Sequence, residues 1–560
     1  MFPKSTNAIL ISAGFLGVLA VPGARADVKW NGCADMAAAE FKATDIATRT
    51  KDDVNEPMKM AFDLLASPAE DAKGKVDVYF TERLGRVRKF DSKTGTVMTL
   101  GTIPLNINSA GSSDGVLGIA LDPAFKTNHQ VYVYYTYVAA AEKNWRVSRF
   151  TLNAAHSTMD LASEIPVIKI PILSGSKHPG GAIQFDGYGD LWISTGNDYK
   201  EGSDYPLYSS PNTNDLRGKI LRIHPTADGK YTSPADNLFK AGTANTRPEI
   251  YVMGNRNPYT IYVDPVRRWL AWGDVGPDAK NFDGAPMNQA GATEKTEEYD
   301  LAKAPGNYGY PFFAGDFATK PGTDAAAPKM PDGYGWEGAQ PGMTTLPKAI
   351  PPIYPYKKSC AITGPIYRYD GDLNSSIKFP PHLHRKWLVT DFNGDNNKVN
   401  AFSLNDEGTA ITGTDQVVTA VPLHAPLDMQ FGPDGALYVN NYAGYRTRTA
   451  ATGIVRIDYS GPCRPNTPKL ETVGTGIFQA KSPVAYGPTV EFLRASGLSV
   501  RVGTSSAFTL EVRDLRGRPI ASKSGQGPAP VSLDEVRMPG VYFLTVHTAD
   551  GYRMVKFARD

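Results

Sequence analysis

Residues 177–198 read KHPGGAIQFDGYGDLWISTGND: a short alternating segment, a Gly-rich turn at Asp186-Gly187-Tyr188-Gly189-Asp190, and a second alternating segment. The second half, GDLWISTG (189–196), is a turn followed by a short strand centred on an aromatic residue. The pattern recurs in GKVDVYFTE (74–82), NHQVYVYYTY (128–137), RRWLAWGD (267–274), HRKWLVTDF (384–392) and GALYVNNY (435–442). Five of the six are followed by another alternating strand: GRVRKFD (85–91), WRVSRFTL (145–152), GKILRIHP (218–225), NKVNAFSL (397–404) and GIVRIDY (453–459). EEYDL (297–301) is the nearest candidate for the remaining unit. Period-two alternation of β-branched and aromatic residues predicts strands. Many short strands with Gly-rich turns predict an all-β protein. Six similar units predict a six-bladed β-propeller, because radial repetition leaves only short, protected edges. A sandwich or a multi-domain β protein is the competing architecture. The long segments between units, above all 300–365, are expected to be loops covering one face.

The chain has 560 residues and a net charge of +2, with no sustained basic or acidic run. Nucleic acid is therefore not an expected partner. The N-terminus has the order of a secretory signal: Lys4, an apolar run from Ala8 to Val21, and Ala24-Arg25-Ala26 as a small-x-small cleavage site. The apolar run is short for a bilayer span, and no other segment is a candidate span. The three cysteines, Cys33, Cys360 and Cys463, allow one disulfide in an exported protein with one thiol left over. Cys33 with Cys463 would close the ends of the middle region.

After Tyr459 the pattern stops, and SGPCRPNTPKLE reads as a linker. A small β unit follows. FTLEVRDLRGRPI holds two strands around a turn, and PGVYFLTVHTADGYRMVKFARD is a hairpin about Asp550-Gly551. The expected organisation is a signal peptide over 1–26, a propeller over 27–460, a linker over 461–490 and a C-terminal β-sandwich over 491–560. VRDLRGRPI and GVYFLTVHTADGYRMVKF resemble the C-terminal sorting domains of type IX secretion cargo, which implies contact with secretion machinery. An accessory carbohydrate-binding sandwich is the alternative.

Four stretches carry groups suited to chemistry. His178 precedes Pro179-Gly180-Gly181. A neutral imidazole accepts a proton near neutral pH, and the glycines allow close backbone approach, yet a lone loop histidine is more often structural. MGNRNPY (253–259) offers Asn255, Arg256 and Asn257 before a Pro-fixed turn; the guanidinium fork suits carboxylate or quinone oxygens. WGDVGPDAKNFDG (272–284) places Asp274 beside Gly276-Pro277, where carbonyls and carboxylates suit Ca²⁺. Glu297-Glu298 are adjacent acids, either solvated or cation-bound. His382-x-His384 reads as loop.

In one order along residues 55–460, these pieces resemble the glucose/sorbosone dehydrogenase family. The matching stretches are FTERLGRVRKFD (80–91), DGVLGIALDPAF (114–125), HPGGAIQFDGYGDLWISTGND (178–198), DLRGKILRI (215–223), GNRNPY (254–259), GDVGPD (273–278), EEYDLAKAPGNYGYP (297–311), GPIYRYD (364–370) and DMQFGPDGALYV (428–439). The resemblance implies an exported six-bladed propeller that uses pyrroloquinoline quinone (PQQ) and Ca²⁺ to oxidise sugars. It implies His178 as the base for the sugar C1 hydroxyl, and Arg256 and Asn257 as holders of the quinone oxygens. It also implies Gly276 and Pro277 as carbonyl ligands of Ca²⁺, Glu297 and Glu298 as acids of a structural Ca²⁺ site, and Lys398 as the candidate cofactor-binding lysine. The chain departs from the family at four positions. Lys177 stands for an aspartate, Ser113 for a glutamine, and Ala425 and Leu427 for two arginines that clamp the cofactor carboxylates.

The reading is an exported quinoprotein sugar dehydrogenase that oxidises an aldose or oligosaccharide at C1. It hands electrons to an external acceptor, since the chain has no Cys-x-x-Cys-His. A non-enzymatic carbohydrate-binding propeller and a Ca²⁺-dependent lactonase-type hydrolase are the alternatives.

Overall fold

The computed structural model describes residues 40–67, 69–107, 113–173, 177–198, 208–276, 296–315, 317–318, 323–332, 336, 339–356, 360–393, 398–443, 449–461, 489–493, 499–503, 507–514, 519–527, 531–536, 540–548 and 551–559. The signal-like segment, Cys33, Pro277 and Cys463 lie outside these residues, as does most of the linker.

Six antiparallel sheets form a propeller. From the axis outward, blade one is Pro57–Leu64, Val76–Glu82, Arg86–Asp91 and Thr96–Thr102, and blade two is Val116–Leu121, Gln130–Ala139, Glu142–Leu152 and Met159–Pro171. Blade three is Ile183–Phe185, Leu191–Thr195, Lys219–Pro225 and Ile250–Met253, and blade four is Pro258–Val263, Leu270–Asp274, Glu297–Ala302 and Tyr354–Tyr356. Blade five is Ala361–Ile366, Trp387–Asp391, Val399–Leu404 and Ile411–Val417. Blade six is Pro426–Phe431, Leu437–Asn441, Gly453–Tyr459 and, outermost, Phe41–Thr48. The inner strands touch one another in a closed ring. The N-terminal strand closes the circle by pairing Phe41 with Tyr459 through to Thr48 with Gly453. Closure of this kind leaves no long free edge inside the ring.

The aromatic strands seen in the sequence are the second strand of each blade, and the alternating strands after them are the third. EEYDL begins the third strand of blade four, where Glu298 pairs with Asp274. The second-strand rings are fully buried: Tyr79, Tyr134, Trp192, Trp272, Trp387 and Tyr438. Burying such a ring stabilises by roughly 2–3 kcal/mol, provided its polar tip finds a partner. The tips do so on neighbouring elements. Trp192 Nε1 donates to Asp186 Oδ2 at 3.1 Å, and Tyr438 Oη to Asp434 Oδ2 at 3.0 Å. Trp387 Nε1 donates to Thr363 Oγ1 at 2.8 Å. Asp186 also accepts from the amides of Tyr188 and Asp190, at 2.8 and 3.1 Å, so the DGYGD turn and the blade core are fixed together.

One expectation needs correction. The span 300–365 is not all loop: it supplies the outer strand of blade four (Tyr354–Tyr356) and most of the inner strand of blade five (Ala361–Ile366). Both are short and carry proline, which hides their alternation. Gly306–Asn307 pairs in parallel with Val252–Met253 and widens blade three.

The C-terminal strands form two sheets. Thr489–Leu493, Ser499–Gly503 and Val531–Ser532 make one; Pro519–Gln526, Ala507–Asp514, Gly540–Thr548 and Gly551–Arg559 make the other. They share a core that includes Val500, Val502, Phe508, Leu510, Val512, Leu533 and Leu544, which makes the unit a small sandwich. Thr548 pairs with Gly551, the hairpin expected at that place. Among the described residues no helix is long and apolar enough to cross a membrane.

Candidate active site

Every inner strand starts at the same face of the propeller, and every second strand ends there. Residues just before an inner strand or just after a second strand therefore meet around the axis. His178 precedes the inner strand of blade three, and Arg256 and Asn257 precede that of blade four. Gly276 follows the second strand of blade four, and Glu297 and Glu298 begin its third. Lys398, just before the third strand of blade five, is exposed at this face too. The topology thus places all the described candidates at one face.

The HPGG segment is held at close quarters. Gly180 and Gly181 have φ of +65° and +106°, and a Cβ on Gly180 would lie 2.7 Å from Ser194 O. Tyr134 Oη donates to Pro179 O at 2.8 Å, and Gly180 N donates to Asn257 Oδ1 at 3.1 Å. The backbone of His178 is pressed onto Gly196, where a Cβ would stand 1.8 Å from His178 O. Gly196→Ala must therefore move the histidine. A fall in kcat of about 100-fold is the expected outcome in steady-state assays, since misplacement by about 1 Å has this cost.

His178 Nδ1 lies 2.8 Å from Asn197 Oδ1. Asn197 is fully buried and fixed on all sides. Its amide N donates to Arg256 O at 2.9 Å, its carbonyl accepts from Ser209 Oγ at 2.8 Å, and Nδ2 faces Tyr310 Oη at 3.4 Å. An amide oxygen only accepts, so the proton of the neutral imidazole sits on Nδ1 and Nε2 is the basic nitrogen. Desolvation and then the Arg256 charge hold the ring well below the ordinary imidazole value of 6.5. His178 is thus a neutral acceptor across the physiological range.

Arg256 and Asn257 are positioned by one carboxylate. Asp274 Oδ2 accepts from Arg256 N at 2.8 Å and Oδ1 from Asn257 N at 2.6 Å. The sequence reading set Asp274 beside Ca²⁺-binding carbonyls; in the fold it serves these two amides. Burial raises it to about 6 even so. Arg256 Nη1 donates to Val275 O at 2.8 Å. The same peptide unit donates through Gly276 N to Glu297 Oε2 at 3.2 Å. Glu297 therefore steadies Arg256 through one peptide plane. Among the described residues the rest of the guanidinium fork has no hydrogen-bond partner, which suits quinone or carboxylate oxygens.

Negative charge is in surplus beside it. Glu297 accepts from Gly276 N and Ala361 N, yet burial pushes it up to about 8. Glu298, with one bond from Gly315 N, and Asp300 are raised well above ordinary carboxylates, first by burial and then by neighbouring carboxylates, Asp274 among them. Both oxygens of fully buried Asp300 lack a hydrogen-bond partner. Orphaned buried carboxylate oxygens are groups that a hard cation such as Ca²⁺ would satisfy. No three His, Cys, Asp or Glu side chains among the described residues converge on a metal by themselves, so a Ca²⁺ here would need further oxygens from elsewhere.

His384 Nδ1 accepts from Tyr369 N at 3.0 Å, a structural role that agrees with the loop reading. Sequence reasoning missed Asn197, because its contact with His178 depends on the way the strand end folds back. A cavity of about 540 Å³ occupies the other end of the axis, lined by the later halves of the inner strands.

A family model described as Glucose / Sorbosone dehydrogenase matches residues 65–445. The chain is 24% identical over 363 residues to aldose sugar dehydrogenase YliI of Escherichia coli K12, covering 64% of this chain and 82% of that protein. It is 26% identical over 259 residues to quinoprotein glucose dehydrogenase B of Acinetobacter calcoaceticus, covering 42% of this chain and 48% of that one, about half its length. The crystal structure of the soluble aldose sugar dehydrogenase of Escherichia coli in the apo-form matches with a TM-score of 0.50 at 20% identity, over 75% of this chain and 99% of that one. That likeness supports the fold.

Proposed function

Because the chain belongs to the glucose / sorbosone dehydrogenase family, we propose that it is an exported quinoprotein dehydrogenase oxidising an aldose or oligosaccharide at C1. The observation that carries this reading is the neutral His178, its proton fixed on Nδ1 by Asn197, standing beside the Arg256 guanidinium. PQQ, when bound, supplies the hydride acceptor. His178 Nε2 takes the proton of the sugar C1 hydroxyl. Arg256 and Asn257 orient the quinone oxygens and favour negative charge there. Gly276, and Pro277 outside the described residues, would supply carbonyls to a Ca²⁺, and Glu297 and Glu298 would serve a cation site. Lys398 lies at the rim. Electrons leave to an external acceptor. The segment 1–26 directs export, and the sandwich after the linker serves the secretion machinery.

Protein purified without cofactor should reduce a redox dye with some aldose only after PQQ and Ca²⁺ are added. No dye reduction across an aldose and oligosaccharide panel at saturating cofactor would refute the reading. Ala425 and Leu427, in place of clamp arginines, favour a second reading as a carbohydrate-binding propeller without redox chemistry. It predicts glycan binding indifferent to PQQ and to His178→Ala.

The base also makes a pH prediction. The depressed His178 should put the acid limb of kcat/KM below pH 6.5. Asn197→Asp sets a carboxylate against Nδ1 and favours the imidazolium, so the limb should rise by about one pH unit or more. A pH–rate profile checks the direction; an unmoved or lowered limb counts against His178 as the base.

A further inference from the structure

Lys59 is a lysine in an otherwise mostly apolar inner strand, PMKMAFDL of blade one. It is 4% exposed and reaches across the propeller axis. Its Nζ donates to Leu427 O of blade six at 3.2 Å and lies 3.8 Å from the centroid of the Tyr259 ring of blade four. Tyr259 is the second residue of the strand that Asn257 precedes, so the ammonium packs at the end of that strand nearer Arg256 and Asn257. Lys59 and Asp428 also line the cavity toward the opposite face, so Lys59 stands between that cavity and the face that carries Arg256.

The ammonium is poorly compensated. It makes no ion pair among the described residues, and Asp428 spends its Oδ2 on Met60 N and Gln430 Nε2, at 3.0 and 2.9 Å. Burial lowers Lys59 to about 8 against the pull of Asp428. The Tyr259 hydroxyl beside it is buried without a hydrogen-bond partner. A buried cation costs several kcal/mol unless an anion meets it. One carbonyl and one ring face do not use up three N–H donors.

We propose that Lys59 is the cationic anchor of the cofactor site and binds a carboxylate of the quinone, with the Tyr259 hydroxyl as a second donor. The positive charge missing at Leu427 on blade six is thereby returned from blade one, at the carbonyl of that same residue. This inference rests on the quinoprotein reading. It also resolves the objection to that reading: a tricarboxylate meets the Lys59 cation as well as Arg256.

The test is equilibrium titration of the cofactor-free protein with PQQ in excess Ca²⁺, followed by tryptophan fluorescence, for wild type, Lys59→Met and Lys59→Arg. Lys59→Met should weaken PQQ binding on the order of 30-fold, the effect of one charge-assisted hydrogen bond. Lys59→Arg should stay within about 5-fold. Without PQQ, Lys59→Met should melt within about 5 °C of the wild-type temperature, since a desolvated charge is removed while buried Asp428 loses its neighbouring cation. PQQ binding by Lys59→Met within about 2-fold of wild type overturns the anchor and leaves the dehydrogenase reading intact. A wild-type protein that takes up no PQQ overturns both. If Lys59→Met without PQQ melts more than about 5 °C lower and Lys59→Arg also loses affinity, the lysine is structural and the proposal fails.

Discussion

His178→Asn is expected to lower kcat for aldose oxidation about 1000-fold while PQQ affinity stays within a few-fold, because general-base removal costs about 10²–10⁴. Asparagine is the informative replacement. The position has φ of +57°, which asparagine tolerates better than most residues. Its amide can still donate to Asn197 Oδ1, so the local structure survives while the basic nitrogen is lost. The bond from Gly180 N to the Asn257 side chain does not involve the imidazole and stays, so the cofactor side should be undisturbed. Single-turnover kinetics with preloaded cofactor separate the effects: the chemical step should slow and the binding step should not. An equal loss in PQQ affinity would make His178 a cofactor ligand and leave the base unassigned.

Chelation of Ca²⁺ is expected to lower Tm by roughly 5 °C at pH 8, and by much less at pH 5. A ligand present at about 1000 times its Kd contributes about 4 kcal/mol, which sets the scale. The pH dependence comes from the buried acids. Without a cation, Glu297 is raised to about 8 in the fold, against an ordinary value of 4.5, and Glu298 and Asp300 are also raised well above their ordinary values. Between those values the folded chain binds more protons than the unfolded one, so stability falls as pH rises. Below about pH 4.5 both states are protonated and the penalty vanishes. Ca²⁺ offsets the same charge and should flatten the profile. Calorimetry with and without EGTA across pH 5–8 checks this. A Ca²⁺ effect that is absent, or larger at pH 5, would remove the cation from the Glu298–Asp300 region.

The architecture is legible in the sequence where strands carry rings. GDLWISTG and its five counterparts are second strands with a buried aromatic core, and that core forces the pattern. The inner strands are harder to read, because IQF is three residues long and AITGPI is broken by Gly and Pro. FKATDIAT, which closes the ring, carries no signal of its partner more than 400 positions away. At the site, His178 stands out only among the matching motifs; on residue type alone it is one loop histidine. Asn197 lies inside the opening stretch, yet only the return of that strand end beside the HPGG turn reveals its task. Lys59 left a trace that went unused: a charged residue inside a buried strand has to be explained by something that it meets.

The most direct measurement is the quinone absorbance of protein loaded with PQQ and Ca²⁺, mixed anaerobically with aldose. The oxidised band should bleach within the turnover time for wild type. It should persist about 1000 times longer for His178→Asn at the same PQQ occupancy. Bleaching at the same rate in both proteins, or in neither, would contradict the assignment of this propeller as a sugar dehydrogenase with His178 as its base.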